Sequence, residues 1–460
     1  VQENNPDVVY AFLSSGDVYR LATGDGTWRK ISGLPSASKL LRSQGWYDLA
    51  LAVSPGNANE IYVGGVNIWR SSNGGTSWTL NSNWYHDDNY EYVHADHHAL
   101  LFSPHGEILF SGNDGGIYKT YDDGKNWTDI SDGLGILQTY RFGLSATDAD
   151  LIMTGNQDNG SIMIKEDSCY EVVGGDGMEC FIDYTNSNII YATSQNGALQ
   201  KSVNKGISFT SIKPSGSSDG SWVTPFVMHP SVPSVLYAAY NKIYRSVNGG
   251  KNWIEYPVDI PLNGKIKSLA IAPGNDQYIY AASNDVIIRS TDGGNTWTNI
   301  TLGLPTSAIT AIAVSPYNPR HIWVTFSSYT ANAKAFYSGN GGDDWENYST
   351  GLPNVPVNCL VYQKNSHGAL YAGTDIGVYY RDEQLSQWTD YSGNLPNVIV
   401  NDLEIDYASS LLKAATYGRG IWQTSLNPVN QDILRADFAV SHTKACVNGT
   451  ITVDLSLIHI

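Results

Sequence analysis

One phrase recurs along the chain at a nearly fixed spacing, and it constrains the fold more than any other feature. The phrase runs from Ser or Thr through Asn or Asp and one or two glycines to Trp, and successive copies mostly lie 43 to 50 residues apart. Units of this length, each carrying about four short strands, are typical of β-propeller blades. Full copies end at Trp78, Trp127, Trp253, Trp297 and Trp345, and weaker copies end at Trp28, Phe209 and Trp388.

Two further units complete the repeat series. The 82-residue gap between Trp127 and Phe209 has room for a degenerate unit around Glu171, and a last unit closes near Trp422. Within a unit, apolar runs alternate with Gly-rich and Asn/Asp-rich turns, as between Leu49 and Gly64. The sequence therefore predicts an all-β protein with about ten four-stranded blades.

The recurring phrase, an Asp-box, has a local structural purpose. Asn or Asp beside glycine suits a turn that needs positive φ, the side-chain oxygen can accept backbone N–H groups, and Trp packs between sheets. We therefore interpret the boxes as fold-building turns and not as catalytic sites. The structural residues are Asn73, Asp122, Asn248, Asp292 and Asn340, with Trp78, Trp127, Trp253, Trp297 and Trp345.

The number of rings stays open at this stage. Ten blades could close one ring, or the end of one propeller could precede a complete seven-bladed ring with a boundary near residue 136. The repeats occupy 1–426, a linker follows at 427–435, and period-two alternation over 436–460 predicts the start of a β-sandwich. We expect both ends to be truncated, and residues 456–460 do not fit the preceding pattern.

Composition excludes several classes of protein. A net charge of −17 argues against binding nucleic acid, which needs Lys and Arg to neutralise phosphates. No apolar stretch is long enough to cross a bilayer. No cofactor motif is present, and we expect no cofactor. The four cysteines are too scattered for a zinc site, although Cys169 and Cys180 could bridge a hairpin in an oxidising compartment.

The boxes resemble those of the Asp-box (BNR-repeat) propeller superfamily, which includes the sortilin-type receptor domain and the xyloglucan-hydrolysing double propellers. Further phrases resemble large secreted proteins of Bacteroidetes-type bacteria, and the tail from Ala436 resembles a PKD domain. The resemblance implies export, through a type IX route, to the cell surface or medium. The phrases begin at Gly45 (Gly-Trp-Tyr-Asp-Leu-Ala), Val93 (Val-His-Ala-Asp-His-His-Ala-Leu), Gly112 (Gly-Asn-Asp-Gly-Gly-Ile-Tyr), Gln157 (Gln-Asp-Asn-Gly), Gly174 (Gly-Gly-Asp-Gly-Met-Glu) and Ala415 (Ala-Thr-Tyr-Gly-Arg-Gly-Ile-Trp).

Propeller geometry predicts which loops share a face. The turn between the second and third strands lies on the same face as the connection between blades, and the Asp-box lies opposite. Unusual polar residues fall in the first two kinds of loop, and we expect them to line a site for a glycan or a cation. The predicted ligand-binding residues are His94, Asp96, His97, Asp114, Asp158, Asp176, Glu179, Trp46 and Tyr92, with Tyr47 as a further stacking ring and Asp375 and Arg419 in equivalent turns.

Two functions compete on this face. The first is a secreted or cell-surface recognition propeller that binds a polysaccharide or protein. The alternative is a glycoside hydrolase of the double-propeller kind, whose candidate carboxylates are Asp96, Asp114, Asp158 and Asp176. A metal held by His94, Asp96 and His98, alternate residues of one strand, is weighed against a polar clasp without metal, and the clasp is preferred.

Overall fold

The computed structural model describes residues 8–428, apart from 23, 25, 32, 87, 167, 259–261 and 263, together with the segments 439–440 and 453–454. Contacts divide the chain into unit 1, Val1–Leu134, and unit 2, Gly135–Ile460. The predicted linker at 427–435 and sandwich at 436–460 fall outside the described residues, except for 427–428 and two short strands. These strands, β39 (Ala439–Val440) and β40 (Val453–Asp454), pair antiparallel.

The described residues of unit 1 form three antiparallel sheets and one short helix. The first sheet has three strands and the other two have four, each in chain order across the sheet. Its elements are β1 (Val8–Phe12), β2 (Val18–Ala22), β3 (Trp28–Lys30), α1 (Ala37–Leu40), β4 (Ala50–Ser54), β5 (Asn57–Gly64), β6 (Ile68–Ser71), β7 (Thr79–Leu80), β8 (His97–Phe102), β9 (Leu109–Asn113), β10 (Gly116–Thr120) and β11 (Thr128–Asp129).

In unit 2, the part of the chain that the structure describes forms seven antiparallel sheets before the β39–β40 pair. Six have four strands and the seventh has three. The first four sheets are β12 (Thr139–Leu144), β13 (Leu151–Asn156), β14 (Ser161–Lys165), β15 (Ser168–Val173); β16 (Gly177–Ile182), β17 (Ile190–Ser194), β18 (Ala198–Ser202), β19 (Thr210–Ser211); β20 (Phe226–Met228), β21 (Leu236–Ala239), β22 (Ile243–Ser246), β23 (Ile254–Tyr256); and β24 (Ser268–Ile271), β25 (Ile279–Ala282), β26 (Ile287–Ser290), β27 (Thr298–Asn299). The last three are β28 (Ala308–Val314), β29 (Ile322–Ser327), β30 (Ala335–Ser338), β31 (Glu346–Asn347); β32 (Val357–Tyr362), β33 (Leu370–Thr374), β34 (Gly377–Arg381), β35 (Thr389–Asp390); and β36 (Val400–Asp406), β37 (Leu411–Thr416), β38 (Ile421–Ser425).

The first and last of these seven sheets are in direct contact. Asn401 on β36 donates from Nδ2 to the carbonyl of Thr139 on β12 at 3.0 Å, and Arg141 donates to the carbonyl of Asn401 at 2.8 Å. Phe142 of the first sheet and Ala415 of the last are buried in one apolar cluster. The seven sheets of unit 2 therefore close into a ring with the first strand of each sheet innermost.

The predicted all-β propeller fold is confirmed, and the described sheets depart from four strands only at the first sheet of unit 1 and the seventh of unit 2. Apolar clusters lie between neighbouring sheets, as where Ile309 and Phe326 pack with Tyr280 of the preceding sheet. Each first, second and third strand thus contributes to a core shared with its neighbour, which is how a repeat protein stabilises units that are too thin to fold alone.

The Asp-box turns connect third strands to fourth strands. In the box before β27, the hydroxyl of Ser290 accepts the Gly294 N–H at 2.8 Å, and Oδ1 of Asp292 accepts the N–H of Thr296 at 2.9 Å. The side-chain and backbone hydrogen bonds from Thr296 lower the pKa of Asp292 to about 2. The same acceptor role, toward the N–H four residues on at 2.9 or 3.0 Å, is filled by Asn73, Asp122, Asn248 and Asn340.

The hairpin disulfide that the sequence allowed between Cys169 and Cys180 is not formed in the structure. Cys169 lies on β15, the outermost strand of one sheet, whereas Cys180 lies on β16, the innermost strand of the next. The segment between the two residues is therefore a connection between blades and not a hairpin. Among the described residues, no helix is long and apolar enough to cross a membrane.

Candidate functional site

The inner strands share an irregularity that repositions polar side chains. The pairing between first and second strands shifts by one residue at Tyr140, Thr310, Asn358 and Asn401 in unit 2 and at His98 in unit 1. A β-bulge of this kind redirects the extra residue's side chain. Each bulged residue is polar and lies near the start of its strand, close to the turn that joins the second and third strands.

Three of the five bulged residues hydrogen bond to those turns, whereas Thr310 and Asn401 donate to backbone carbonyls of the neighbouring sheets. Asn358 donates from Nδ2 to Oδ1 of Asp375 at 2.9 Å, and the hydroxyl of Tyr140 donates to Oε1 of Gln157. In unit 1, Nε2 of His98 lies 2.7 Å from Oδ1 of Asp114. This repeated pairing fixes the orientation of the turn residues. The sequence did not predict it, because each bulge shifts the in-and-out alternation of side chains along the strand by one residue.

A carboxylate joins the first two sheets of unit 2 on the face of these turns. Oδ1 of Asp176 accepts the backbone N–H of Asp158 at 2.7 Å and the amide of Gln157 at 2.9 Å, while Oδ2 accepts the amide of Gln195 at 2.6 Å. Asp176 is buried, and this burial raises the pKa of its carboxyl above the ordinary value. The sequence predicted Asp158 and Asp176 together, and the structure brings them together.

Three aromatic side chains stand beside this network. The Trp222 indole N–H donates to the Tyr140 hydroxyl at 3.1 Å, and the rings of Tyr140 and Tyr417 lie 5.5 Å apart. Trp222 is 47% exposed, and the two tyrosines are half-buried. We call Tyr140, Trp222 and Tyr417 the aromatic row. Tyr140 lies on the first sheet, Tyr417 follows a strand of the seventh sheet, and Trp222 lies in the segment before the third sheet.

The innermost strands of unit 2 also enclose a cavity of about 710 Å³. Its lining continues down to the ends of these strands and includes Ser145, Tyr184 and Asp406. The cavity therefore lies along the ring axis and is reached from the ends of the first strands. Each innermost strand contributes to its wall, namely through Arg141, Glu179, Phe226, Ser268, Thr310, Asn358 and Asp402.

Charged groups concentrate on one side of this cavity. Nε of Arg141 lies 3.6 Å from Oε2 of Glu179, and these side chains are 24% and 21% exposed. Burial raises the pKa of Glu179, Asp402 and Glu404, and Arg141 partly opposes this rise for the first two. Burial by itself would lower the pKa of Arg141. The neighbouring carboxylates of Asp402 and Glu179 outweigh this effect and raise the pKa. Glu179 therefore lies with Arg141 in the cavity wall and not beside Asp176.

In unit 1, His98 and Asp114 belong to a half-exposed aromatic patch. The Tyr47 hydroxyl donates to Oδ2 of Asp114 at 2.8 Å, and the Tyr47 ring packs edge-on against His98 with centroids 4.8 Å apart. Trp46 is 81% exposed and lies 5.4 Å from Tyr47. Tyr92 is not part of this patch, because its ring stacks on His86 at 4.5 Å and packs toward Tyr118.

The three proposed metal ligands of unit 1 do not converge. Asp96 adopts a positive φ of 62°, and β8 begins only at His97, so the strand alternation assumed for His94, Asp96 and His98 does not extend across them. Asp96 accepts the amide of Gln44 at 3.1 Å, whereas His98 faces Asp114. No grouping of these three residues at metal-binding distance occurs in the described part of the chain.

His97 is a core residue. It is fully buried, its Nδ1 lies 2.8 Å from the Ser111 hydroxyl, and burial together with the neighbouring histidines lowers its pKa to about 3. The imidazole is therefore neutral near pH 7. Because its side chain has no exposed surface, His97 does not contribute to a ligand-binding surface in this structure.

Asp48 is the most unusual carboxyl of unit 1, and the sequence analysis did not single it out. The residue is fully buried, and neither oxygen has a hydrogen-bond donor among the described residues. Burial, and then the neighbouring carboxylate of Asp96, raises the pKa of Asp48 to about 7. From the sequence, Asp48 has the pattern of an ordinary turn residue after Trp46 and Tyr47. Its unusual environment is recognisable only from its burial in the fold.

Comparison with known proteins finds similarity only among solved structures, and at low sequence identity. No protein-family profile and no curated protein matches the chain. Among solved structures, a GH74 enzyme from Niastella koreensis is 16% identical, with 98% of this chain and 81% of that chain covered at a TM-score of 0.33. A GH74 xyloglucanase from Xanthomonas campestris is also 16% identical, with 94% and 80% covered at 0.31. YCF48 from Cyanidioschyzon merolae is 12% identical, with 62% and 94% covered at 0.47.

The chain has a β-propeller fold. Its blades are the ten sheets described above. At these identities and TM-scores the likeness to solved structures carries no argument about activity.

Proposed function

We propose that this propeller is a secreted or cell-surface recognition protein that binds a polysaccharide through the aromatic row and the Asp176 network of unit 2. The observation that carries the proposal is the position of Trp222, which is half exposed and held by Tyr140 beside a set of oriented amide and carboxylate groups. Sugars present apolar ring faces and hydroxyl edges, and this surface offers an aromatic face and polar partners side by side.

The polar groups of the network are oriented before any ligand arrives. Gln157 and Gln195 each hydrogen bond to Asp176, and Gln157 also accepts the Tyr140 hydroxyl. Side chains fixed in this way lose little conformational entropy on binding. Rigid aromatic anchors contribute binding area at a similarly low entropy cost. Both properties favour recognition of a ligand over adaptable, nonspecific contact.

The hydrolase alternative has weaker support in unit 2. A glycoside hydrolase needs one carboxyl free to protonate the leaving group and a second free to act on the opposite side. Asp176 is 7% exposed, and both of its oxygens accept hydrogen bonds from protein groups. Its geometry therefore suits a group that organises neighbouring turns. Binding without hydrolysis follows more directly from this arrangement.

A panel of soluble polysaccharides, assayed by affinity electrophoresis and calorimetry with the full chain, tests the proposal. Trp222→Ala is expected to weaken binding at least about tenfold, which corresponds to about 1.4 kcal/mol. Tyr170→Ala is the matched control, because Tyr170 is 53% exposed on the outer strand β15. That control is expected to bind as the unmodified chain does.

Other outcomes identify the competing functions. Unchanged affinity of Trp222→Ala would reject the aromatic row as the binding surface. Release of reducing sugar that is lost in Asp176→Asn would favour the hydrolase. Absence of binding to any polysaccharide, together with saturable binding of a protein ligand that Trp222→Ala abolishes, would replace the glycan with a protein ligand on the same surface.

A further inference from the structure

A buried carboxyl in unit 1 faces a second carboxyl without any donor between them. Asp48 ends the turn that starts at Gln44, and its backbone N–H donates to the Gln44 carbonyl at 3.0 Å. Its side chain is fully buried. The carboxyl of Asp96 lies within hydrogen-bonding reach of it and contributes to its electrostatic environment.

Three oxygens of this pair lack a donor among the described residues. They are Oδ1 and Oδ2 of Asp48 and Oδ1 of Asp96, all buried. The fourth, Oδ2 of Asp96, accepts the Gln44 amide at 3.1 Å. Buried carboxylate oxygens are normally hydrogen-bonded or bound to a cation, because leaving them unsatisfied costs several kcal/mol. The pair therefore needs a partner that the described residues do not supply.

A shared proton would satisfy the pair only in part. One proton gives one hydrogen bond, which involves one oxygen of each carboxyl and leaves the third oxygen unpartnered. A cation can accept several carboxylate oxygens at once and also neutralises both charges. Carboxylate oxygens are hard ligands, and Ca²⁺ accepts irregular sets of them completed by water more readily than Mg²⁺ does.

We propose that Asp48 and Asp96 form a Ca²⁺ site in unit 1, with the orphaned oxygens of both carboxylates as ligands. The site is distinct from the set of His94, Asp96 and His98, because it depends on Asp48 and uses oxygen ligands alone. It is also independent of the aromatic row, which belongs to unit 2. Its role is to hold the turn at Gln44–Asp48 against the loop before β8.

Calorimetric titration of Ca²⁺ into the full chain, stripped with EGTA and exchanged into chelator-free buffer, tests the site. The unmodified chain is expected to bind Ca²⁺ with a dissociation constant of about 1 mM or tighter, the range of extracellular calcium modules. Asp48→Asn and Asp96→Asn are each expected to lose one equivalent of binding. Asp132→Asn is the matched control, since Asp132 is an exposed carboxylate of the same unit, and it is expected to retain that equivalent.

Thermal unfolding gives a second readout. Ca²⁺ is expected to raise the Tm of the unmodified chain and of Asp132→Asn but not of Asp48→Asn, because a ligand stabilises only the state that binds it. If Asp48→Asn does not fold, judged by near-ultraviolet circular dichroism, Asp96→Asn and the titration of the unmodified chain decide. Absence of Ca²⁺ binding by the unmodified chain, or full binding by Asp48→Asn, would overturn the proposal and leave a shared proton as the partner of the pair.

Discussion

Asp176 accepts the backbone N–H of Asp158 through Oδ1 at 2.7 Å. The two residues belong to different loops, since Asp158 lies in the turn between β13 and β14 and Asp176 immediately precedes β16. One charged group thereby connects two neighbouring sheets on the face that carries the aromatic row. The stability of this face and the ligand binding proposed for it therefore depend on the same carboxylate.

Removing this carboxylate is expected to destabilise unit 2. Asp176→Ala removes the acceptor that Asp158, Gln157 and Gln195 share, and all three donors belong to half-buried residues. Hydrogen bonds to charged groups contribute about 1.5 to 3 kcal/mol each, so a loss of about 3 kcal/mol in the free energy of unfolding is expected. Urea unfolding measures it. Asp150→Ala, at an exposed position of the same unit, should change stability by less than about 0.5 kcal/mol.

The sequence predicted the blades well because their signal is local. Each Asp-box contains its own turn glycines, its acceptor and its Trp, so Asp292 and Trp297 could be assigned without knowing any distant contact. The same holds for the nearness of Asp158 and Asp176, which follows from blade order once the strands are known. Local patterns repeated many times outweigh the uncertainty of any single one.

The positions of the site side chains were harder to predict from the sequence, for a physical reason. Glu179 was expected beside Asp176, yet the pairing shift between Gly177 and Cys180 sends its side chain to the cavity and to Arg141. One extra residue in a bulge reverses the face that a side chain occupies, and the residue types do not indicate where the bulge occurs. Asp48 was missed because burial depends on the whole fold.

Glu179 gives a prediction about pH. Burial raises its folded-state pKa above the ordinary value of 4.5. Its contribution to stability is therefore fully present below pH 4.5 and is lost as the pH rises toward the raised pKa, because the unfolded chain releases its proton first. The free energy of unfolding should therefore fall between pH 5 and pH 8. In Glu179→Gln this fall should be smaller by about 1 to 2 kcal/mol, which corresponds to roughly one pKa unit.

Unfolding in urea at several pH values measures this slope. Glu346→Gln is the control, because Glu346 is exposed on β31 and should leave the slope unchanged. An identical slope in Glu179→Gln and the unmodified chain would show that Glu179 ionises as an ordinary glutamate, and it would contradict the raised pKa.

Arg141 is expected to stabilise unit 2 at neutral pH through its contacts in the cavity wall. Its guanidinium faces Glu179 at 3.6 Å and donates to the carbonyls of Tyr140 and Asn401 at 2.8 Å. Arg141→Met leaves the acidic groups of Glu179 and Asp402 without this cation, and removing one partner of a partly buried ion pair is expected to cost about 2 kcal/mol. Adding Asp402→Asn to the variant should restore part of that loss, because it removes one of the uncompensated charges.

The double-mutant cycle in urea at pH 7 measures this coupling. If the two substitutions are additive, Arg141 acts through its backbone hydrogen bonds alone. A positive coupling that disappears at pH 4, where the carboxyls are protonated, would establish the electrostatic contribution.

Trp388 tests whether the box tryptophans connect neighbouring blades. Its indole is 2% exposed and donates to the carbonyl of Tyr348, which lies in the preceding blade, at 2.7 Å. Trp253 and Trp345 make the equivalent bond to Ile212 and Ile300. Trp388→Phe removes this bond and opens space in the core, while the Tyr348 carbonyl keeps its hydrogen bond from Arg381 at 3.3 Å. A loss of about 2 kcal/mol in the free energy of unfolding is expected.

Trp222→Phe is the matched control for this substitution. Trp222 is half exposed and its indole donates to a tyrosine hydroxyl on the surface, so the same chemical change should lower the free energy of unfolding by only about 0.5 kcal/mol. Equal losses in the two variants would mean that indole size, and not the bond between blades, determines stability. A larger loss in Trp388→Phe, together with faster hydrogen exchange in β35 and unchanged exchange in β12, would assign the effect to the contact between the fifth and sixth sheets of unit 2.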